Sequence, residues 1–198
     1  MTVTVYAAHL RRALARPRVL VRDLLLVLAF ASFTALAARI ALPLPFTPVP
    51  ITGQTLAVLL SGVLLGSRRG ALAQLAYLAQ GAAGLPVFAG GRAGLGVLLG
   101  PTGGYLVGFV LAAGLVGWLA ERGWRLHTGR LFVALLLGNL VIYLCGALWL
   151  ARFVPDPLGQ GVLPFIPGDL VKIAIAAGVV PSGSRLITHL LQRAETDA

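Results

Sequence analysis

The sequence predicts an all-α membrane protein with six transmembrane helices, both termini in the cytoplasm, and outer loops that cap a ligand pocket. Of the 198 residues, 58% are hydrophobic and only 11% are charged, far below the roughly 25% charged content of a soluble domain. The mean hydropathy is +0.91. The 25 glycines and 12 prolines indicate close helix contacts and broken segments, because glycine lets backbones approach and proline ends helices.

Six apolar segments supply the predicted spans, against about 20 residues needed for a straight crossing. The second is short by that measure, so we expect it to be tilted, shielded by neighbours or extended by the segment before it. We divide the chain into a basic N-terminal arm at 1–23, a six-helix membrane domain at 24–191 and a cytoplasmic tail at 192–198. The spans lie at about 24–42, 54–66, 70–88, 103–120, 131–151 and 169–191.

Arginine placement predicts the orientation, because basic residues concentrate on the cytoplasmic side. With both termini inside, three arginines face outward: Arg39, Arg92 and Arg152. Twelve then face the cytoplasm: Arg11, Arg12, Arg16, Arg18, Arg22, Arg68, Arg69, Arg122, Arg125, Arg130, Arg185 and Arg193. An odd number of spans would put a basic group on the wrong side. The protein is therefore expected to be a multi-pass protein of the cell (inner or plasma) membrane.

The predicted outer connections are longer and richer in proline and glycine than the tight inner turn at 66–70. They cover 43–53, 89–102 and 152–168. Their apolar content would make them poor solvated linkers, so we expect them to fold back over the bundle and to line or cap a pocket that opens outward.

Several functional classes have little support in the sequence. The basic residues form no single stripe with interleaved aromatics, which argues against a nucleic-acid partner. The lone Cys145 excludes an internal disulfide and a CxxC metal site. The chain contains no HExxH, GxSxG or GxxxxGK[ST] pattern, so neither catalysis nor ATP binding by this chain is predicted, and no cofactor or metal is implied.

The most informative residues are Asp169 and Lys172 in PGDLVKIAIAAGVV. At i, i+3 they share a helix face near the outer end of the last span. An intramembrane ion pair costs several kcal/mol in desolvation unless it is well compensated, so it is by default a functional-site hypothesis. A carboxylate accepts N–H bonds and an ammonium donates to carbonyls, so the pair suits a small ligand carrying both. The alternative is a pair that only holds helices together.

Other polar residues near the outer half are weaker candidates. Thr52 and Gln54 follow an unusual proline-rich entry to the second span. Asn139 and Tyr143, at i, i+4, share a helix face, but each has a structural alternative, as an interhelical hydrogen bond or a core aromatic. Arg92 lies in an outer loop and could equally be a solvated charge.

Small residues recur every four positions in several segments, which permits close helix packing. We interpret Gly62, Gly66 and Gly70, and likewise Gly100, Gly104 and Gly108, as packing faces within the bundle. In the first span, Ala31 and Ala35 could serve either internal packing or the docking of a partner protein.

Four ordered segments resemble the BioY family, the biotin-specific S components of energy-coupling factor (ECF) transporters. The combination is more specific than any one motif, and the resemblance spans about residues 24–191. The segments are FTPVPITGQTLAVLLSG (46–62), AYLAQGAAGLPVFAGG (76–91), GPTGGYLVGF (100–109) and PGDLVKIAIAAG (167–178).

The resemblance implies a six-helix protein that captures biotin from outside and associates with a transmembrane coupling protein and two ATP-binding subunits. It places the family's acidic and basic pair of the last helix on Asp169 and Lys172, and the AxxxA pattern that meets the coupling protein on Ala31 and Ala35. Asp169 would accept from a ureido N–H and Lys172 would donate to its carbonyl, with Gln54 or Asn139 completing the set. Wall residues would be Leu85, Phe88 and Tyr105. The stretch after GLPVF reads AGGRAG, where an amide donor is expected in some members, so Arg92 is the substitute.

Two other functions stay open from the residues alone. One is an S component for a different small vitamin, and the other is a polytopic membrane enzyme that uses Asp169 as a general acid or base. The sequence also leaves open whether the chain forms a homo-oligomer.

Overall fold

The computed structural model describes the backbone of residues 2–196 and the side chains of residues 19–182. The side chains of most of the predicted arm, the tail at 192–198, and Arg185 and Arg193 therefore lie outside the described residues. The helices are α1 Thr2–Ala37, α2 Gln54–Leu65, α3 Ser67–Ala82, α4 Leu95–Leu99, α5 Gly103–Glu121, α6 Thr128–Leu150, α7 Pro157–Gly161 and α8 Ile166–Thr196. Strands β1 Ala41–Leu44 and β2 Thr47–Thr52 form an antiparallel hairpin.

Helix α5 occupies the centre of the bundle, packed against α2, α3 and α6. Helix α8 packs on α6 and α2, whereas α1 lies at the edge and packs mainly on α3 and α2. Four described stretches are long and apolar enough to cross a membrane: Val19–Ala37, Gly103–Glu121, Thr128–Leu150 and Pro157–Ser182. Helix α2 is apolar but has only 12 residues. The chain is therefore a helical, membrane-embedded protein.

Glycines bring the inner helices into direct backbone contact, as the spacing predicts. A Cβ on Gly62 would strike the backbone of α5 at Ala113, and a Cβ on Gly108 would lie about 3.0 Å from the Ile142 Cα of α6. Gly66 separates α2 from α3 at a φ of 82°, a left-handed conformation that only glycine adopts freely. The result is the tight predicted turn.

The hairpin corrects the strictly all-α prediction. Ala41 and Leu42, the last residues of the predicted first span, pair with Thr52 and Ile51 of the segment expected to be a loop at 43–53. Its prolines cannot continue helix α1, and its β-branched residues favour extended backbone. Because the pair has only two strands, its prolines lie on edges, where a missing N–H is tolerated.

The other long connections also fold back, as expected. The 89–102 connection contains α4 and the 152–168 connection contains α7. The Asp156 carboxylate accepts a 2.8 Å hydrogen bond from the Gly159 N–H and so begins α7. Hairpin, α4 and α7 all connect helices at the same end of the bundle, called the loop end below.

Candidate ligand-binding site

A pocket of about 620 Å³, counting its open mouth, lies at the loop end of the bundle. Its wall comes from the hairpin, the start of α2, the 83–94 loop, α4, α5, α6 and the start of α8. The lining residues are Val49, Pro50, Ile51, Thr52, Gln54, Thr55, Phe88, Ala89, Arg92, Val97, Thr102, Tyr105, Leu106, Phe109, Ile142, Tyr143, Phe165, Asp169 and Lys172.

Asp169 and Lys172 form an ion pair in this wall, with Lys172 Nζ 2.8 Å from Asp169 Oδ1. Helix α8 begins at Ile166, so Asp169 lies in its first turn, where the helix dipole favours a negative charge. Asp169 is only 4% exposed. The predicted i, i+3 pair is therefore real and faces the pocket.

Both charges are fully compensated by neighbours. The ammonium of Lys172 also donates to the Thr52 carbonyl at 2.7 Å and to Thr55 Oγ1 at 3.3 Å. Asp169 Oδ1 accepts from the Thr55 hydroxyl at 2.9 Å and Oδ2 accepts from the Tyr143 hydroxyl at 2.7 Å. These bonds tie α8 to α2 and α6, and they offset the desolvation of the pair.

The Thr52 carbonyl is available because the chain turns there from β2 into α2. The Thr52 hydroxyl accepts from the Gln54 N–H at 3.3 Å, which closes a local turn. One residue further, Thr55 lies in the first turn of α2, and its hydroxyl donates to Asp169 of the ion pair. Thr55 was not predicted, although its position three residues after Thr52 was a usable signal.

Gln54 anchors a second polar chain on the α2–α3 side. Its Nε2 donates to the Tyr77 hydroxyl at 2.7 Å, and that hydroxyl donates to the Val87 carbonyl at 3.1 Å. The Tyr77 ring meets Phe88 edge-to-face, with centroids 5.5 Å apart. This chain fixes the loop that carries Phe88 into the pocket wall.

Arg92 lies exposed at the pocket mouth. Its Nε donates to the Ala89 carbonyl at 3.1 Å, and among the described residues its two terminal nitrogens have no recorded partner. Arg92 is thus the lining cation that still has N–H donors free for a ligand. A guanidinium so placed can pair with a carboxylate.

The rest of the wall is aromatic and aliphatic. Phe88 and Tyr105 line it as expected, and the Tyr105 hydroxyl donates to the Gly161 carbonyl at 2.7 Å, which ties α5 to α7. Phe109 and Phe165 were not predicted. Phe165 belongs to the outer segment expected to fold back, but which of its side chains turns inward depends on tertiary packing.

Two predicted binding residues do not reach the lining. Leu85 is 51% exposed in the loop after α3, because the chain turns at Gly84 and Phe88 takes the inward position. Asn139 is buried beneath Tyr143, and within the described part of the chain its Oδ1 has no hydrogen-bond partner. We correct both assignments: Leu85 is a surface residue, and Asn139 is a buried neighbour of Tyr143 that does not line the pocket.

The two alanines of α1 differ in exposure. Ala31 is 0% exposed and belongs to the core against the chain's own helices, whereas Ala35 is only partly buried. Ala31 therefore cannot present a docking surface in this arrangement, which corrects its assignment. Ala35 remains accessible to a partner protein.

Comparisons with known proteins agree on one family. The family model described as the BioY family matches residues 7–189. The chain is 41% identical over 167 residues to the biotin transporter BioY of Rhizobium etli, across 79% of this chain and 89% of that protein. It is 42% identical over 158 residues to a probable biotin transporter BioY of Pyrococcus horikoshii, across 78% and 91%.

A solved structure supports the same assignment. The crystal structure at 2.1 Å of the S-component for biotin from an ECF-type ABC transporter superposes with a TM-score of 0.73 at 30% identity. The match covers 83% of this chain and 92% of that one. On the family model, the relatives and this shared fold, the chain belongs to the BioY family.

Proposed function

We propose that this chain is a biotin transporter, the membrane-embedded substrate-binding component that captures biotin from the outer side and delivers it to the cytoplasm. The observation that carries the proposal is the Asp169–Lys172 pair in the wall of an otherwise apolar pocket. The names of its relatives and of the matching structure support biotin as the ligand.

The pocket suits the chemistry of biotin at both ends. Biotin carries a ureido ring with two N–H donors and a carbonyl, an apolar thioether ring, and an aliphatic tail with a carboxylate. Asp169 accepts from a ureido N–H, and Lys172 donates to the ureido carbonyl in place of its 3.3 Å bond to Thr55. The aromatic wall contacts the ring and tail.

The carboxylate of biotin is assigned to Arg92. Arg92 has unpaired donors at the mouth, whereas Lys172 already has three acceptors. This arrangement puts the ureido ring at the buried pair and leaves the charged end of the ligand nearest to water, where its desolvation costs least.

The proposed topology has six spans with both termini in the cytoplasm. The distribution of twelve inner and three outer arginines favours it, and six helices of 12 or more residues, α1, α2, α3, α5, α6 and α8, lie near the predicted spans. The loop end and the pocket mouth then face outward.

Energised uptake requires partners. Because the sequence holds no nucleotide-binding motif, an ECF coupling protein and two ATP-binding subunits supply the energy. The similarity to the S-component of an ECF-type ABC transporter supports this assignment. We assign the partner contact to the Ala35 face of α1.

The identity of the ligand is the first thing to test. The protein is purified from cells grown with biotin, denatured, and the released small molecules are weighed by mass spectrometry. We expect biotin in near-equimolar amount, and labelled biotin that unlabelled biotin displaces but thiamine and riboflavin do not. Release of a different vitamin, or of none with no biotin binding, would refute the proposal.

A further inference from the structure

A groove lies between α1 and α3, at the end of the bundle opposite the pocket. Its sides are apolar, with Leu24 and Val27 from α1 and Leu72 and Leu75 from α3. Its volume, counting open space, is about 1470 Å³. This is the edge of the bundle where α1 contacts few other helices.

One end of the groove is lined by charged residues. Arg68 and Arg69, at the start of α3, line it together with Asp23 and Glu121. Arg69 Nη2 is 2.9 Å from Asp23 Oδ1, and Glu121 Oε1 accepts from the Ser67 N–H at 2.8 Å. Both acids therefore have partners within the protein.

The positive charge of Arg68 has no acidic partner among the described residues. This residue is exposed, and among the described residues it has no recorded hydrogen bond or ion pair. Arg22 adds a second cation beside Asp23, at 3.7 Å. The four lining charges balance, but both acids are engaged within the protein, so the Arg68 guanidinium is the lining group free to bind a phosphate.

The groove is also one leaflet deep. From Arg68 to Ala79 along α3 the lining rises about 16 Å, at about 1.5 Å per residue, and half of a bilayer's hydrocarbon core is about 15 Å. The arginines therefore lie at headgroup level when the apolar lining lies among acyl chains. Basic pockets between helices at this level bind acidic lipid headgroups.

We propose that this groove binds an acidic phospholipid, with the phosphate on Arg68 and an acyl chain between α1 and α3. The bound lipid fills the space beside α1 and fastens this peripheral helix to the bundle. The proposal does not depend on which molecule the pocket takes.

Native mass spectrometry of the full-length protein tests it with phosphatidylglycerol and phosphatidylcholine of the same chains. We expect the parent to prefer phosphatidylglycerol about five-fold. This is the ratio of affinities that follows from the attraction of one arginine at headgroup level to an anionic lipid. Arg68→Gln abolishes that preference, and the matched control Arg130→Gln, at the start of α6 outside the groove, keeps it. Equal binding of the two lipids by the parent, or equal losses in the two variants, would overturn the site.

A second variant tests the acyl chain. Ala79→Trp fills the apolar end of the groove and is expected to lower retention of both lipids, while glycerophosphoglycerol, which lacks acyl chains, does not compete. If that headgroup alone competes, the acyl part is wrong. If Ala79→Trp abolishes capture of a coupling protein yet leaves lipid retention unchanged, the groove binds that protein and the lipid assignment fails.

Discussion

At the residue scale, the Lys172 ammonium has three acceptors within the protein, which match its three N–H groups. A ligand carbonyl can bind only by replacing one of them. The 3.3 Å bond to Thr55 is the longest and the least costly to lose, since hydrogen bonds weaken as they lengthen. The site is thus stable when empty and exchanges one weak bond for a ligand bond when filled.

The Arg92 assignment predicts a dependence on ligand charge. Arg92→Gln should weaken biotin about 10-fold or more through loss of a charge-assisted bond of about 1.5–3 kcal/mol. Biotinamide, which lacks the carboxylate, should bind parent and variant alike. Titration of both ligands into both proteins measures the difference. Equal losses for the two ligands would mean that Arg92 does not meet the carboxylate.

At the element scale, the loop that carries Phe88 and Arg92 is tied to the end of α1. The Arg39 guanidinium donates to the Pro86 carbonyl at 2.7 Å and lies against Gly91. Arg39 was predicted to have only a topological role, because a contact across 47 residues has no local signature.

Loss of this tie should speed ligand release. Arg39→Gln is expected to raise the dissociation rate of biotin about two- to five-fold, the lower range for a single exposed hydrogen bond. The control is Arg152→Gln at the loop end of the bundle, where the guanidinium lies over the Trp149 ring, and it should leave the rate unchanged. Stopped-flow displacement measures both rates. An unaltered rate in Arg39→Gln would show that the tie does not hold the loop.

The burial of α1 predicts opposite effects at its two alanines. Ala35→Trp should leave biotin binding near normal but weaken pull-down of the coupling protein, because the bulky ring holds the partner helix away. Ala31→Trp overpacks the core and should cost about 1–3 kcal/mol of stability. Thermal unfolding and pull-down separate the two. Normal capture by Ala35→Trp would return that residue to internal packing.

The sequence foresaw the helices better than the site's finer parts. Apolar stretches and arginine spacing predict α5 and α6 well because both signals are local. The i, i+3 spacing likewise predicts the Asp169–Lys172 pair. Thr55 and Phe165 depend on how α2 and the 152–168 connection meet α8. Leu85 was misplaced because the chain leaves α3 through a turn at Gly84. Contacts of this kind form only in the folded bundle, and no periodic pattern in the sequence indicates them.

At the scale of the whole molecule, the arginine asymmetry predicts which end faces outward. In a Cys145→Ala background, Leu99→Cys on exposed α4 should react with an impermeant maleimide on intact cells. Arg130→Cys should react only after permeabilisation. The reverse pattern of labelling would invert the topology and place the pocket mouth in the cytoplasm.

The measurement that tests the central claim most directly is titration of labelled biotin into purified Asp169→Asn and Lys172→Ala variants. Each removes a charge-assisted bond of about 1.5–3 kcal/mol, so affinity should fall roughly 10- to 150-fold. Asp156→Asn, which alters the exposed cap of α7, is the control and should bind like the parent. If both pocket variants stay folded and bind biotin as tightly as the parent, the Asp169–Lys172 pair is structural and the pocket assigned here is not the biotin site.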